Sequence, residues 1–272
     1  GTGLVVHYRV SSKEMRSDMD YLKENSKIWD DRSANADRWS VPVSSEEVAL
    51  ARQGEWSILL TPTKPVPRDW FPQELAGKQV LCLASGGGQQ GPILAATGAN
   101  VTVFDNSRTQ LDKDLYVANR DGLTIATAQG NMQDLSEFAD ESFDLVINPW
   151  SNSYIDNVLP VWKECARILK KGGILIAGFS NGVESIFDPV KIEHGELSVA
   201  YKLPYADVDH LDNPGIKRIA EAEGYIWGHT LTDQIGGQID AGFAIVGFYE
   251  DRGGTPLDNF MSGSIATKAV KM

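Results

Sequence analysis

The sequence predicts an α/β protein built on a doubly wound parallel sheet, and three observations predict it. Residues 80–107 run from an apolar strand (Val80, Leu81, Cys82, Leu83) through Gly86-Gly87-Gly88 and a helix-like segment to a second apolar strand that ends on Asp105. Strand-like and helix-like segments then alternate as far as residue 179, an order that gives parallel strands joined by right-handed crossovers. Finally, FAIVGFYE (243–250) and GSIATKAV (263–270) are separated by a Gly/Pro loop with no helix, so they form an antiparallel pair at one sheet edge.

The elements follow in order. Residues 18–30 read as a helix, and Ser44-Ser45-Glu46-Glu47 as a capping box that opens a short helix closed by Gly54. Residues 56–60 read as a strand, and TPTKPVPRDWFP, with four prolines, as an extended strap. Residues 1–78 thus form a helical N-terminal cap with a proline-rich strap, in which Trp56, Trp70 and Phe71 act as core anchors and Lys64 is exposed. The core, 79–272, holds strands at 79–84, 100–105, 123–127, 143–148 and 174–179. Helices are expected at 90–97, from Ser107 to Gly122 with Leu111, Leu115 and Ala118 on one face, near 134–139, and at 157–170. Lys170-Lys171-Gly172-Gly173 ends the last of these with positive charge and a left-handed cap. Residues 181–228 break the rhythm and read as an inserted lid, partly strand. A helix at 231–241 precedes the final strand pair.

Composition narrows the function. The 272 residues suffice for one large α/β domain with a cap or insertion. A net charge of −12 and a pI near 4.8, with no basic run, argue against nucleic acid and anionic lipid as partners. The chain has no apolar run of membrane-spanning length and no signal-peptide pattern, so a cytoplasmic protein with no membrane partner is expected. Cys82 and Cys165 have no metal-ligand spacing and read as buried free thiols, and no metal is expected.

The chemistry begins at the glycine turn. A turn that brings backbone N–H groups against a ligand has no room for β-carbons on the contact side, and a carboxylate about twenty residues on suits the hydroxyls of a ribose. Gly86-Gly87-Gly88-Gln89-Gln90-Gly91 satisfies G-x-G-x-x-G, a pattern that dinucleotide-binding proteins also use. Four further features bear on the choice of cofactor: Gly130-Asn131-Met132 after the third strand, Ser142–Pro149 as the fourth, Arg167–Ile176 leading into the fifth, and the antiparallel final pair.

Together these resemble the class I S-adenosylmethionine-dependent methyltransferases, in particular the methyltransferase type 11 group of small bacterial enzymes. The resemblance covers about residues 79–180, and 231–271 more loosely. It implies a Rossmann-like, seven-stranded sheet with an antiparallel last strand and S-adenosylmethionine as cofactor. By the same resemblance Ala84, Ser85, Gly86, Gly87 and Gly88 would wrap the methionine part, Asp105 would hold the ribose, and Asn106 would lie by the adenine. Asn131 would face the adenine amine, Met132 would present its N–H to the ring, and Asn148 would lie near the sulfonium. Two positions depart from the family. Cys82 stands where an acidic residue is usual in the first strand, and Asn131 where an acid is usual beside the adenine. Asn148-Pro149-Trp150 is also similar to the (Asp/Asn)-Pro-Pro-aromatic motif of amino-group methyltransferases, with one proline missing.

A sulfonium methyl is already activated, so such an enzyme needs chiefly to align the acceptor and exclude water. If the acceptor must lose a proton, Tyr154 in the loop SNSYID and His229 before the last helix are the candidate catalytic residues; His194 reads as a solvated loop residue. Trp29 is expected to close over the methionine end of the cofactor, because an aromatic face suits a sulfonium; Trp39 is a second candidate, and packing of the cap is the alternative for both. The expected function is methyl transfer to a small-molecule acceptor. Two alternatives stay open: a nicotinamide-dependent oxidoreductase, which requires a sixth parallel strand, and a non-catalytic protein that keeps the nucleoside pocket.

Overall fold

A computed structural model of the chain describes residues 20–35 and 37–272. Seven strands, β1 (Gln79–Leu83), β2 (Asn100–Asp105), β3 (Ile125–Gln129), β4 (Phe143–Asn148), β5 (Leu169–Ser180), β8 (Phe243–Asp251) and β9 (Ser264–Lys271), form one sheet in the order β3-β2-β1-β4-β5-β9-β8. The five strands from β3 to β5 are parallel, and β9 runs against both of its neighbours, with Ile174 opposite Val270 and Ser180 opposite Ser264. The expected antiparallel pair is therefore present, with β9 inserted inside the sheet and β8 at its edge. A sixth parallel strand following β8, which the oxidoreductase alternative requires, is not what the chain builds.

Period-two alternation decides which face each residue serves. Val80 and Cys82 of β1 join one core cluster with α3 (Gln90–Ala96) and α4 (Arg108–Asp121). Leu81 and Leu83 join the opposite cluster with α5 (Leu159–Ile168). Helices thus cover both faces, and the strand order reverses between β1 and β4. Ligand crevices in open α/β sheets form at such a reversal, outside the carboxyl ends of the strands.

Ahead of the sheet, α1 (Tyr21–Ala34) is capped by Asp20, whose side chain accepts from the Lys23 N–H, and packs on α4 and on α7 (Pro214–Glu223). Residues 18 and 19 of the expected first helix lie outside the described residues. The Ser44 capping box opens α2 (Ser45–Arg52) as expected. Residues 56–60 form no strand beyond a single bridge between Leu59 and Pro65, because prolines 62, 65 and 67 remove the donors a ladder needs.

Other elements differ from expectation for identifiable reasons. No helix forms at 134–139: Glu164 of α5 accepts the Leu135 N–H, and Arg167 donates to the carbonyls of Leu135 and Phe138. Strand β3 begins two residues late, because Gly122 caps α4 at φ 63° and the Leu123 N–H returns to Ala118 O. Helix α5 ends at Ile168, and the Lys170–Gly173 stretch is an irregularity within β5 in which Gly172 has the expected left-handed backbone at φ 75°. The inserted stretch is more helical than expected. It holds α6 (Pro189–Ile192), a two-residue ribbon of β6 (Tyr205–Ala206) with β7 (Trp227–Gly228), and α7, whose cap Asn213 accepts from Gly215 and Ile216. The segment expected as a helix at 231–241 opens as a π-turn, Thr232–Gly236, before α8 (Gly237–Asp240). A Cβ on Gly237 would lie 2.7 Å from the Trp162 ring and from Leu159, so the absence of a side chain lets the segment approach α5.

Candidate active site

A cavity of about 300 Å3 opens at the reversal point, and its walls come from the tips of β1, β2 and β4, from α1 and from the strap. The chain leaves β1 through a sharp turn in which Ala84 has φ 48° and donates its N–H to Phe104 O at 2.7 Å. The Ser85 hydroxyl then donates to Gln90 Oε1 at 3.0 Å, and Gln90 Nε2 reaches Leu59 O, just ahead of the strap. The Gly86 N–H donates to Asp105 Oδ2 at 2.8 Å, and a Cβ there would strike Gln110 Cβ at 2.6 Å. The glycine is required by this close approach.

Asp105 sits at the tip of β2. Its Oδ1 accepts the Ser107 N–H at 2.9 Å and its Oδ2 the Gly86 N–H. Burial pushes its carboxyl above the ordinary range, while the N–H bonds from Ser107 and Gly86 pull the other way. Each oxygen keeps acceptor capacity after one such bond, so the group is held in place and still able to receive hydroxyls. Ser107 caps α4 and donates to Asp30 of α1. The Asn106 side chain donates to Leu22 O at 2.8 Å, and its carbonyl accepts from Ser26 and Gln129. Asn106 therefore ties α1 to the rim of the cavity.

Asn131 Oδ1 accepts the Gln133 N–H at 3.0 Å and its Nδ2 donates to Gln133 Oε1 at 3.2 Å, with the buried Met132 beside it on the wall. Opposite stand Trp29 and Tyr154, edge to face at 5.3 Å, with the Arg32 guanidinium 4.5 Å from the Trp29 ring. Burial pushes the Tyr154 phenol up to about 12, with Arg32 opposing. Arg32 itself donates to Asp37 and to Glu223 O.

Of the residues expected at a cofactor site, the fold brings Trp29, Ala84, Ser85, Gly86, Asp105, Asn106, Asn131 and Met132 to one cavity, together with Tyr154 and Trp39. Others lie outside its lining. The N–H groups of Gly87 and Gly88 turn inward to Asp114, that of Gly87 also to Gln110 O. Asn148 is fully buried behind the wall, donating to Leu83 O and Ser151 Oγ, with its Oδ1 unpartnered. His229 is also buried away from the cavity, its Nε2 2.9 Å from Asn152 O, and burial pushes its pKa below the usual value. Among residues that sequence reasoning missed, Arg32, Gln110 and Pro62 line the cavity, and so does Trp150, which the sequence offered only as part of the Asn148-Pro149-Trp150 motif. Arg32 follows Trp29 by three residues, about one helical turn, and Gln110 stands three residues after the Ser107 cap, to whose hydroxyl it donates its N–H. Trp150 carries a left-handed backbone at φ 25°, and its indole donates to Ser264 Oγ at 3.0 Å, so its ring is pinned.

The donor set fits a nucleoside cofactor. A carboxylate with free lone pairs, a glycine turn with no space for a β-carbon, and the apolar side chains of Phe104 and Met132 line the same cavity. Among the described residues no group of three or more His, Cys, Asp or Glu side chains is arranged to hold a metal ion, and no helix is long and apolar enough to cross a membrane.

Comparison with known proteins agrees with this geometry. A family model described as a methyltransferase domain matches residues 81–177, from β1 into β5. A protein of Bacillus subtilis named as the uncharacterized methyltransferase YbaJ is 51% identical over 92% of this chain and 98% of its own length. A ubiquinone biosynthesis O-methyltransferase of Maricaulis maris is 29% identical over 41% of this chain and 44% of its own length. Among solved structures, an S-adenosylmethionine-dependent methyltransferase from Mesorhizobium loti superposes with a TM-score of 0.58 at 17% identity, over 75% of this chain and 95% of that one.

Proposed function

The chain belongs to the class I S-adenosylmethionine-dependent methyltransferases of the type 11 group, and on that premise we propose that its acceptor is a small molecule bound beside Trp150, Tyr154 and Pro62. The observation that carries this reading is that the Asp105 carboxylate and this aromatic wall line the same cavity of about 300 Å3, at the lower end of the range typical of small-molecule sites. The net charge of −12 supports an acceptor other than nucleic acid. Residues 20–78 act as a cap and residues 181–228 as a lid over the acceptor end.

In this reading S-adenosylmethionine supplies an activated methyl group on a sulfonium. Residues 84–86 receive its methionine part, Asp105 accepts the ribose hydroxyls, and Asn106, Asn131 and Met132 form the adenine slot. Trp29 turns an aromatic face toward the sulfonium, and Asn148 supports that end from behind by fixing Ser151. Gly87 and Gly88 shape the turn from beneath. Because Tyr154 is held protonated up to about 12, it serves as a neutral hydrogen-bonding and packing group and not as a base. His229 supports the Asn152–Tyr154 turn through Asn152 O. Rate enhancement then comes from alignment, for which orientation can supply on the order of 7–11 kcal/mol. The test is release of S-adenosylhomocysteine in an acceptor screen of small phenols, amines, thiols and carboxylates alongside oligonucleotides; turnover confined to oligonucleotides would refute the reading.

A further inference from the structure

Gly91, the last glycine of the glycine-rich stretch, does not line the cavity. A Cβ there would lie 2.9 Å from Asp114 Oδ1 and 2.7 Å from Val103 Cγ2, so the missing side chain makes room for a carboxyl group. Asp114, on the inner face of α4, is completely buried. Its Oδ2 accepts two consecutive N–H groups at 3.1 Å, from Gly88 and from Gly87, which shares its proton with Gln110 O at 3.0 Å, and its Oδ1 has no partner. Gly87 and Gly88 reach this geometry with φ of 119° and 73°, a backbone that side chains disfavour. Successive N–H groups of this kind make an anion-binding nest, and here the nest is filled by the protein's own carboxyl group.

We propose that Asp114 is a positioning residue for the cofactor: from beneath, it draws the Gly87 and Gly88 N–H groups inward and so fixes the curvature of the turn whose outer side, residues 84–86, receives the methionine part of S-adenosylmethionine. The proposal rests on the cofactor placement given above and is independent of the acceptor. It also accounts for an acid on α4 where β1 offers only Cys82, whose thiol is pushed well up by burial and by the neighbouring Asp114.

Burial raises the Asp114 carboxyl to about 8, against the pull of the Gly88 and Gly87 N–H groups. The other titratable groups around it are Asp105 from β2, Cys82 from β1, and Lys113 on its own helix, whose Nζ turns away to Ser33 O and Ser40 O. Asp105 makes the rise larger, and the Cys82 thiol stays protonated in this range. The ionised carboxylate is the stronger acceptor, so cofactor affinity increases as pH rises through the Asp114 range.

The test is calorimetric titration of the full chain with S-adenosylhomocysteine at pH 7 and pH 9, for the parent, Asp114→Asn and Asp105→Ala, with thermal melting as a check on folding. Expected is a loss of roughly tenfold or more in Asp114→Asn at pH 9, the scale of charge-assisted hydrogen bonds, together with a rise in parent affinity from pH 7 to 9 that the variant lacks. In the parent the Gly87 and Gly88 amide proton signals should move together with a midpoint near the carboxyl's own. Asp114→Asn affinity within about twofold of the parent at both pH values, beside a weakened Asp105→Ala, overturns the proposal alone. An insensitive Asp105→Ala overturns the cofactor placement beneath it. If Asp114→Asn does not fold, the amide titration of the parent decides, and signals that stay fixed between pH 6.5 and 9.5 overturn the proposal.

Discussion

The Trp29 and Tyr154 rings meet in a T-shaped pair, with centroids 5.3 Å apart and planes at 88°. One ring comes from α1 and the other from the turn after β4, so the contact joins the N-terminal helix to the sheet across the mouth of the cavity. Edge-to-face pairs contribute about 0.5–1.5 kcal/mol beyond burial. A double-mutant cycle of Trp29→Ala and Tyr154→Ala, read by urea unfolding, should therefore give a coupling of about that size. Tyr154→Phe, which keeps the ring, should retain the coupling, and a cycle that adds exactly would show that the rings do not communicate.

His229 should affect stability more than cofactor binding. Burial lowers its folded pKa, so below the ordinary value of about 6.5 the unfolded chain binds the extra proton. Stability therefore rises with pH across the window from the depressed folded value to about 6.5. Urea midpoints of the parent should fall as pH drops from 7 to 5.5, and this slope should flatten in His229→Gln. Affinity for S-adenosylhomocysteine should stay within about threefold, well under one hydrogen bond to a charged group.

Asp251, at the end of β8, holds the strap through the Thr63 hydroxyl and the N–H groups of Thr63 and Lys64. Burial alone would raise its pKa, but these bonds overcome it and bring the carboxyl down to about 2. The depression corresponds to about 2 kcal/mol of stability, present above the unfolded value near 3.9 and lost as pH falls toward the folded one. Asp251→Asn should be destabilised by about that amount at pH 7, and the gap to the parent should shrink as the pH is lowered from 5 to 3.

The parts of this molecule legible in its sequence are those governed by local rules. Ser107 caps α4 and Gly122 ends it because the bonds involved span three to five residues. Asp105 lies at the tip of β2 because alternation and a glycine turn specify where a strand stops. What escaped depends on partners distant in sequence. Residues 134–139 give up a helix because Glu164 and Arg167, about thirty positions on, take their backbone groups. The buried face of α4 includes Asp114 and Val117 as well as Leu111 and Ala118, and a charged residue on that face is invisible to a reading of apolar periodicity. The acceptors that meet the inward N–H groups of Gly87 and Gly88, the Asp114 carboxyl and Gln110 O, lie on the same helix, more than twenty positions on.

The most direct test of the account is calorimetric titration with S-adenosylhomocysteine of the parent and of Asp105→Ala, with melting curves for both. The account predicts micromolar binding by the parent. In the variant it predicts a loss of at least about tenfold, since each ribose hydroxyl bond to the carboxylate is worth roughly 1.5–3 kcal/mol, with cooperative melting retained. Equal affinity in the two proteins would contradict it and remove Asp105 and its cavity from the cofactor site.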